Sequence, residues 1–322
     1  MTPASITSDG VRSRAVLISS ARAIGLLLAV SVIVFGVTAL LPGDAVSLRA
    51  AGRLTPEELS VLRSAAGLDD SPVFRYLAWL SGVVRGDLGT STSTGRSVGD
   101  MLGNRLTVSA SIVSFALVIV IPLMGGLAVL ASSGRGRRSA WTATATTVAA
   151  LPQVVVAALL AAVLSGWAGL VPPVSLLPRG RSPLAHLDLL LLPAMTLALP
   201  ASAYGALMLR GPLVDAAHTP YIVDARMRGV GRLRLAWSYV FPVVAAPTVR
   251  ILSFVLAGLV CGTALVENIF GLSGLGELFV TSIATRDAGV VQAISMLAAV
   301  VVVAGMTLAD IVAARTGNRG PA

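Results

Sequence analysis

The chain has no lysine, because all 24 of its basic residues are arginine. This absence excludes a phosphate-binding loop of the P-loop type, a Schiff-base lysine and a lysine general base, since each of these needs the lysine amine. Alanine is very abundant beside arginine, which points to the base composition of the genome as the cause.

Cysteine and histidine are nearly absent as well. A single cysteine, Cys261, excludes an internal disulfide and a cysteine metal cluster. Cys261 falls inside a predicted membrane span, where we expect a small packed side chain rather than a reactive thiol. His186 and His218 are predicted on opposite sides of the membrane, which argues against a histidine metal site. We therefore predict that this chain itself binds no metal and no cofactor.

Charged residues are scarce, at 12% of the chain, whereas 55% of residues are hydrophobic and the mean hydropathy is +0.86. This composition indicates a polytopic membrane protein, in which about 20 apolar residues cross the ~30 Å hydrocarbon layer as a helix. The sequence predicts an all-α fold with six transmembrane helices, at residues 22–41, 106–131, 140–166, 187–209, 243–266 and 289–311.

The arginines predict the orientation of the chain in the membrane. They cluster before span one, between spans two and three, between spans four and five, and after span six, and the positive-inside rule places these regions in the cytosol. Both termini, residues 1–21 and 316–322, are therefore predicted inside. Residues 42–105 carry as many acids as arginines and are predicted outside. Because the basic residues are explained by topology, the high pI does not indicate nucleic-acid binding.

The external segment 42–105 is predicted to contain two short helices. Thr55 caps the first, which begins at Pro56, and the second runs from about Ser71 to Val84. Their apolar faces are expected to pack on the membrane domain or to lie at its surface. The following residues, 86–96, form a turn-rich linker without a nucleophile.

A short polar helix is predicted in the cytosolic loop 210–242, between spans four and five. Thr219 is the expected N-cap, Pro220 suits the first helical position, and Gly229 can end the helix in the left-handed conformation. Asp224 and Arg228 are spaced to form an ion pair.

One face of this helix is small and mostly apolar, and is made of Tyr221, Ile222 and Ala225. We interpret it as a surface that another protein can approach closely. The alternative is a surface helix that only links two spans.

Polar residues inside the spans are the candidates for a pathway or gate. Gln153 and the threonines of span three, at 142, 144, 146 and 147, are predicted to face the interior of the bundle, either lining a pathway or packing. Glu267 lies at a helix end near the outer boundary. Two situations are predicted for it. Either it is buried and then has a partner or borders an aqueous space, or it is an interfacial carboxylate in water.

Several short motifs resemble, in order and spacing, those of the dipeptide/oligopeptide permeases of ABC importers. They are Pro42-Gly43-Asp44, Gly67-Leu68-Asp69, Tyr76, Trp79-Leu80, Gly86-Asp87-Leu88-Gly89, Val266-Glu267-Asn268-Ile269-Phe270, Gly274-Leu275-Gly276 and Arg286-Asp287. Residues 221–229 resemble that family's cytosolic coupling motif. Two positions depart from the pattern: Val223 stands at the acidic position of the general importer motif, and Ser273 replaces the usual proline.

The resemblance implies a core permease domain over residues 106–315 and coupling to a separate ATPase through Tyr221, Asp224, Ala225, Arg228 and Gly229. It also implies a bacterial inner-membrane location and an assembly with a second permease (a homologue or a second copy), one or two ATPase subunits that bind ATP and Mg²⁺, and an extracytoplasmic substrate-binding protein. The cargo would be a peptide or a peptide-like solute.

Two rival classes of membrane protein fit the sequence less well. An intramembrane hydrolase needs paired Asp or Ser/His groups at mid-membrane depth, and the predicted spans show none, since Asp188 and Asp310 sit at span ends. A self-contained secondary transporter or channel usually carries ionisable groups near the midplane, which the predicted spans lack. This second class remains the alternative.

Overall fold

A computed structural model describes residues 8–40, 55–65, 70–132, 135–176 and 183–316. Two of the quoted motifs, at residues 42–44 and 67–69, lie outside these ranges. Throughout the described residues the fold is helical, and the one β-type pairing there is an isolated bridge between Thr90 and Ser97. The prediction of an all-α membrane protein is confirmed.

Eleven helices, which we label in chain order, carry the described part of the fold. They are α1 Ser8–Leu40, α2 Pro56–Ala65, α3 Pro72–Arg85, α4 Val98–Ser132, α5 Arg135–Ala150, α6 Gln153–Leu160, α7 Leu187–Ala217, α8 Pro220–Met227, α9 Phe241–Phe270, α10 Leu275–Ala284 and α11 Ala288–Thr316. A π-helical turn, Ala161–Trp167, extends α6. A short helix, Arg232–Leu235, and a second π-helical turn, Ala236–Val240, lead into α9.

Five of these helical segments are long and apolar enough to cross a membrane: α1, α4, α7, α9 with its lead-in, and α11. The predicted third span, 140–166, is not one straight helix. Its two halves, α5 and α6, meet at an angle of 101°. Pro152 stands at the bend with ψ near 136°, an extended conformation that ends one helix before the next begins. The pair supplies a sixth span only if both halves are counted together.

The bundle is built around α4 and α7, which pack along each other, while α9 lies between α7 and α11 and α1 covers the far side of α11. The core is apolar and includes Ile112, Met124, Leu197, Leu259 and Phe270. Close packing depends on a small residue at position 205, because a Cβ added to Gly205 would lie 2.5 Å from the sulfur of Met124.

The two ends of the bundle are distinct, and we call them the α8 end and the α10 end. At the α8 end, Ile222 of α8 packs with Ala216 of α7 and Val244 of α9. At the α10 end, Val98 of α4 and Leu275 of α10 belong to one cluster with the first residues of α11.

An ion cluster ties three helices together nearer the α8 end. Asp310 of α11 pairs with Arg250 of α9 at 3.2 Å and with Arg22 of α1 at 3.7 Å. Because all three side chains keep some exposure, the cluster is a modest tie rather than a large source of stability.

Helix α3 packs on the first membrane helix, which is one of the two arrangements predicted for it. The Tyr76 hydroxyl lies 2.8 Å from the hydroxyl of Ser31, and the Tyr76 ring meets Phe35 edge-on, with their centroids 5.4 Å apart. Trp79 completes this aromatic group. Residues 70–85 are therefore part of the membrane domain's surface.

Helix α2 begins with a reciprocal cap. The Glu58 carboxylate accepts hydrogen bonds from the Thr55 backbone N–H at 2.9 Å and from its hydroxyl at 3.0 Å. The Glu58 N–H donates back to the Thr55 hydroxyl at 3.3 Å. These bonds from Thr55, its backbone N–H first, lower the pKa of Glu58. The predicted cap is confirmed.

Cys261 is not the packed side chain that we predicted. It is exposed, and it faces a cavity between α4, α9 and α11.

Candidate functional site

Helix α8 begins at Pro220, as predicted, but Thr219 caps it only with its backbone. The Thr219 carbonyl accepts bonds from the N–H groups of Ile222 and Val223, at 3.0 and 3.1 Å. The Thr219 hydroxyl turns back and donates to the Asp215 carbonyl of α7, at 3.3 Å. The predicted side-chain cap is therefore absent, because α7 ends so close to α8 that its last turn takes the hydroxyl.

Gly229 ends α8 in the left-handed conformation, with φ of +77°, which confirms the prediction. Its N–H donates to the Arg226 carbonyl at 3.1 Å, and the Val230 N–H donates to the Ala225 carbonyl at 3.2 Å. These two bonds form a Schellman motif, which satisfies two otherwise free carbonyls at the helix end. The positive φ is what makes both bonds possible, and glycine adopts it at little cost.

The small apolar face of α8 is not available to another protein. Ile222 is 0% exposed and Ala225 is 4% exposed, and both lie against this chain's own helices. Tyr221 donates from its hydroxyl to the Tyr239 carbonyl at 3.2 Å. The prediction that this face can be approached by a partner is wrong, because α7 and the start of α9 already cover it. Substitutions at Ala225 therefore test folding rather than docking.

The opposite side of α8 is the accessible one. Met227 is 75% exposed and Val223 is 37% exposed, and Arg226 lies beside them. The predicted ion pair between Asp224 and Arg228 is present, with 2.8 Å between its atoms. In the segment after α8, Leu233 and Trp237 are also largely exposed. The surface available at this end is therefore apolar side chains set among arginines.

The second group of functional interest surrounds Glu267, near the end of α9. Its side chain is 0% exposed, so it is not a carboxylate in water, which was one of the two predicted situations. The Ser109 hydroxyl of α4 donates to one carboxylate oxygen at 2.5 Å, and the Glu277 N–H donates to the other at 2.9 Å. The Gly276 N–H is a further donor. Glu267 thus has partners, which was the other prediction.

The same contacts show what the carboxylate does structurally. The N–H groups of Gly276 and Glu277 belong to the first turn of α10, where helical N–H groups have no partner within the helix. Ser109 accepts a third such bond, from the Leu275 N–H at 2.7 Å. Glu267 and Ser109 together cap α10, and a negative charge at a helix N-terminus is favourable.

Two glycines let the polypeptide come close enough for this cap. A methyl group added at Gly274 would overlap the Glu267 carboxyl group, and one added at Gly276 would overlap the α-carbon of Ala264. Neither position can therefore take a larger residue without movement of α9 or α10. This close packing explains why both outer positions of the motif Gly274-Leu275-Gly276 are glycine.

The other end of α10 is held by a second buried acid. Asp287, 1% exposed, accepts a bond from the Ser93 hydroxyl at 2.7 Å and a short one from the Ser91 hydroxyl. The Thr92 N–H and hydroxyl also donate to it, each at 3.3 Å, as does the Ser93 N–H at 3.4 Å. The loop 86–97 is thereby fastened to the turn between α10 and α11. The sequence predicts residues 86–96 only as a linker, so this anchoring role is an addition from the structure.

A charged pair adds a third tie on the same helix. Arg105 of α4 forms a close ion pair with Glu277, and it also donates to the Gly274 carbonyl at 3.4 Å. Helix α10 is thus anchored through Glu267, Asp287 and Glu277 to α9, to the loop 86–97 and to α4. The arrangement makes it a rigid element at this end of the bundle.

Gln153 packs against a neighbouring helix, whereas most threonines of the third span are exposed. Gln153, at the start of α6, packs over Gly262 of α9, where an added Cβ would lie 2.6 Å from its side-chain nitrogen. Three threonines, at 144, 146 and 147, are exposed, so the prediction that they pack inside this chain's bundle is wrong, and the alternative that they line a pathway stays a prediction. Their hydroxyls donate to carbonyls one turn earlier in α5, so each hydroxyl has a hydrogen-bond partner although it faces outward.

Sequence reasoning missed the partners of the two buried acids. Ser109, Arg105 and the loop residues Ser91 to Ser93 looked ordinary in their own segments. The signal that could have found them is the joint occurrence of the 86–89 and 286–287 motifs in one resemblance, which hints that the two segments meet.

Fold and site together define a multi-pass membrane protein. It has a capped helix at one end of the bundle and a clamped helix at the other. The chain belongs to the family of binding-protein-dependent transport system inner membrane components. The model of that family matches residues 121–319, and the model of its N-terminal part matches residues 14–122. The chain is therefore the permease component of an ABC transport system, with an ATPase and a substrate-binding protein among its partners.

Named relatives cover most of this chain. A peptide transport system permease protein of Brucella abortus (strain 2308), so named provisionally, is 31% identical over 90% of this chain and 93% of the relative. The oligopeptide transport system permease protein OppB of Mycobacterium tuberculosis (strain H37Rv) is 32% identical over 79% and 82%. The oligopeptide transport system permease protein AppB of Bacillus subtilis (strain 168) is 29% identical over 89% and 93%.

Proposed function

We propose that this permease forms half of the pathway for peptides or peptide-like solutes and that α8 receives the movement of a separate ATPase. The observation that supports the coupling role is the accessible side of α8. Met227 is 75% exposed there, between Arg226 and Arg228 in the sequence, and the opposite side of the helix packs on α7 and α9. A push on the accessible side would reach two membrane helices directly. The cargo class comes from the names of the relatives.

The assembly that we propose contains a second permease, which is a homologue or a second copy, one or two ATPase subunits and one extracytoplasmic binding protein. ATP and Mg²⁺ bind to the ATPase subunits, and this chain is not itself an enzyme. The absence of lysine supports this division, because the chain has no P-loop lysine for phosphate binding. The rival hypothesis, a self-contained secondary transporter or channel, gains no support from the family match.

The coupling role predicts that Met227→Arg weakens the hold on the ATPase. An arginine at the centre of the accessible side replaces the apolar contact of Met227 with a charge that must give up its water on binding. We expect roughly a fivefold loss of bound ATPase, equivalent to about 1 kcal/mol. The measurement is the ATPase-to-permease ratio after co-purification of the complex from membranes.

The matched control is Val61→Arg on α2, a position that is 66% exposed and far along the chain from α8. It should keep the wild-type ratio. An unchanged ratio for Met227→Arg would contradict the proposal that this side of α8 contacts the ATPase.

We also propose that the α8 end faces the cytosol, with both termini inside, and that the loop 86–97 faces outward. The arginine distribution supports this orientation. In a Cys261→Ser background, Thr94→Cys should react with an impermeant thiol reagent from the outside of intact cells. Ser238→Cys, in the lead-in to α9, should react only after the cells are opened. The reverse pattern would overturn the orientation.

A further inference from the structure

A large cavity lies between the membrane helices on the side of Glu267. Its volume is about 530 Å³, and its walls come from α4, α9, α10 and α11. Leu106 and Leu117 mark its extent on α4, Leu256 and Ala264 on α9, and Ile294 and Val301 on α11. The size falls within the range typical of sites for small organic ligands.

The length of the cavity matches the depth of one lipid leaflet. Leu106 and Leu117 are eleven residues apart on one helix, which corresponds to about 16 Å along its axis. Half of the ~30 Å hydrocarbon layer is about 15 Å. The wall residues of α9 and α11 lie in the halves of those helices nearest α10. The cavity is therefore about as long as one leaflet is deep, and it lies at the α10 end of the bundle.

The walls are chemically suited to hydrocarbon. Among the residues that line the cavity there is no Asp, Glu, Arg or His. The Ser109 hydroxyl already donates to Glu267 and accepts from Leu275, and the Thr263 hydroxyl donates to the Val260 carbonyl at 2.8 Å. Glu267 itself is hidden behind this wall, at 0% exposure.

Such walls disfavour the charged ends of a peptide. Moving a charge into them would cost hydration that the two remaining hydroxyls of the wall, on Ser114 and Ser295, replace only in part. An alkyl chain has no hydration to lose, and it exchanges its contacts with neighbouring lipid tails for van der Waals contacts with the cavity wall.

The cavity is open at its rim. Leu106 is 42% exposed, and Ala110, Ser114 and Cys261 are exposed as well. The residues next to Leu106 and Gly276 in the chain are Arg105 and Glu277, whose ion pair has each side chain 30% exposed. The outer edge of an apolar chamber thus adjoins a pair of opposite charges, as a phospholipid's tail adjoins its headgroup.

We propose that this cavity binds an acyl chain of a membrane lipid. The lipid would fill the space between α4 and α11, which the helices themselves leave open, and would support α10 from the membrane side. The proposal does not rest on the coupling role of α8 or on the nature of the cargo.

The unique cysteine of the chain tests this directly, because Cys261 lines the cavity. The assembled complex, with the cysteines of the partner subunits replaced, would be placed in phospholipid nanodiscs. A neutral alkyl thiosulfonate should modify Cys261 at least tenfold faster than a quaternary-ammonium thiosulfonate of similar size, with each rate divided by that reagent's rate with free cysteine, because the charged reagent is excluded from an apolar site.

A phospholipid with a diazirine on its acyl chain provides the second measurement. Light should cross-link it to the peptide that contains residues 256–264. Ala298→Phe fills the cavity and should lower this cross-linking at least fivefold, whereas Ala299→Phe, the neighbouring residue outside the cavity wall, should leave it unchanged. Co-purification of the partner subunits confirms assembly, and Val301→Phe replaces Ala298→Phe if that variant does not assemble.

Three results would overturn the proposal. Equal modification by the charged and apolar reagents would show a water-filled space. Cross-linking of a diazirine-bearing peptide cargo, but not of the lipid, would show a cargo site. Reaction of Cys261 in the isolated chain but not in the complex would show that a partner subunit fills the cavity.

Discussion

Gly229→Val is expected to lower ATP-driven uptake at least tenfold while the permease still inserts and assembles. Valine at a φ of +77° is strained, because a β-branched side chain clashes with its own backbone in the left-handed region. The cost is about 1–3 kcal/mol, and the chain can avoid it only by giving up the two bonds that end α8. The membrane bundle should remain intact because space around Gly229 is open.

The structure supplies a close control for this experiment. Gly231 is two residues away and also has open space around it, but its φ is −57°, which valine adopts readily. Uptake into proteoliposomes should fall at least tenfold for Gly229→Val and change less than twofold for Gly231→Val. If both variants transport equally well, the geometry at the end of α8 plays no part in coupling.

Gly274→Ala is expected to disrupt the cap of α10, and removal of the Glu267 side chain should relieve part of the damage. The added methyl group overlaps the Glu267 carboxyl group, so the carboxylate must leave its donors. We expect a loss of about 1–3 kcal/mol from overpacking. Glu267→Ala alone should also destabilise, since three buried donors lose their acceptor.

The combination of the two substitutions is the informative variant. In Glu267→Ala/Gly274→Ala the new methyl group meets empty space, so the loss should be about 1–2 kcal/mol smaller than the sum of the single losses. Apparent melting temperatures of the purified complex and uptake rates would measure both effects. Gly276→Ala provides the control, because its methyl group overlaps the backbone of Ala264 and no side-chain truncation can relieve it.

Additive losses in the double variant would contradict the direct contact between Gly274 and Glu267. Rescue of Gly276→Ala by Glu267→Ala would contradict it as well. Either result would mean that α10 is positioned by something other than the capping carboxylate.

Local features of α8 could be predicted from the sequence because their causes are local. The start at Pro220, the Asp224–Arg228 pair and the left-handed Gly229 depend on residues within about one turn of each other. The function of the apolar face could not be predicted in this way. A helix pattern shows that Ile222 and Ala225 form a face, but only packing shows that α7 and α9 cover it.

The effect of a proline on a membrane span could not be predicted from the local sequence either. Pro193 and Pro200 lie inside the continuous helix α7, whereas Pro152 separates α5 from α6 by a bend of 101°. All three remove one backbone hydrogen-bond donor. Whether the helix continues depends on the neighbours that pack around it, and in a membrane bundle those neighbours are distant in sequence.

The sequence by itself determined that this protein is a helical, multi-pass membrane protein of the importer permease type. Hydropathy, the absence of lysine and short local motifs are properties of neighbouring residues, and they need no tertiary contact. Only the tertiary structure decided how Glu267 and Asp287 are used. Their partners Ser109 and Ser91 lie 158 and 196 residues away in the chain. A buried carboxylate must find donors wherever folding brings them, so its role is a property of the packed bundle.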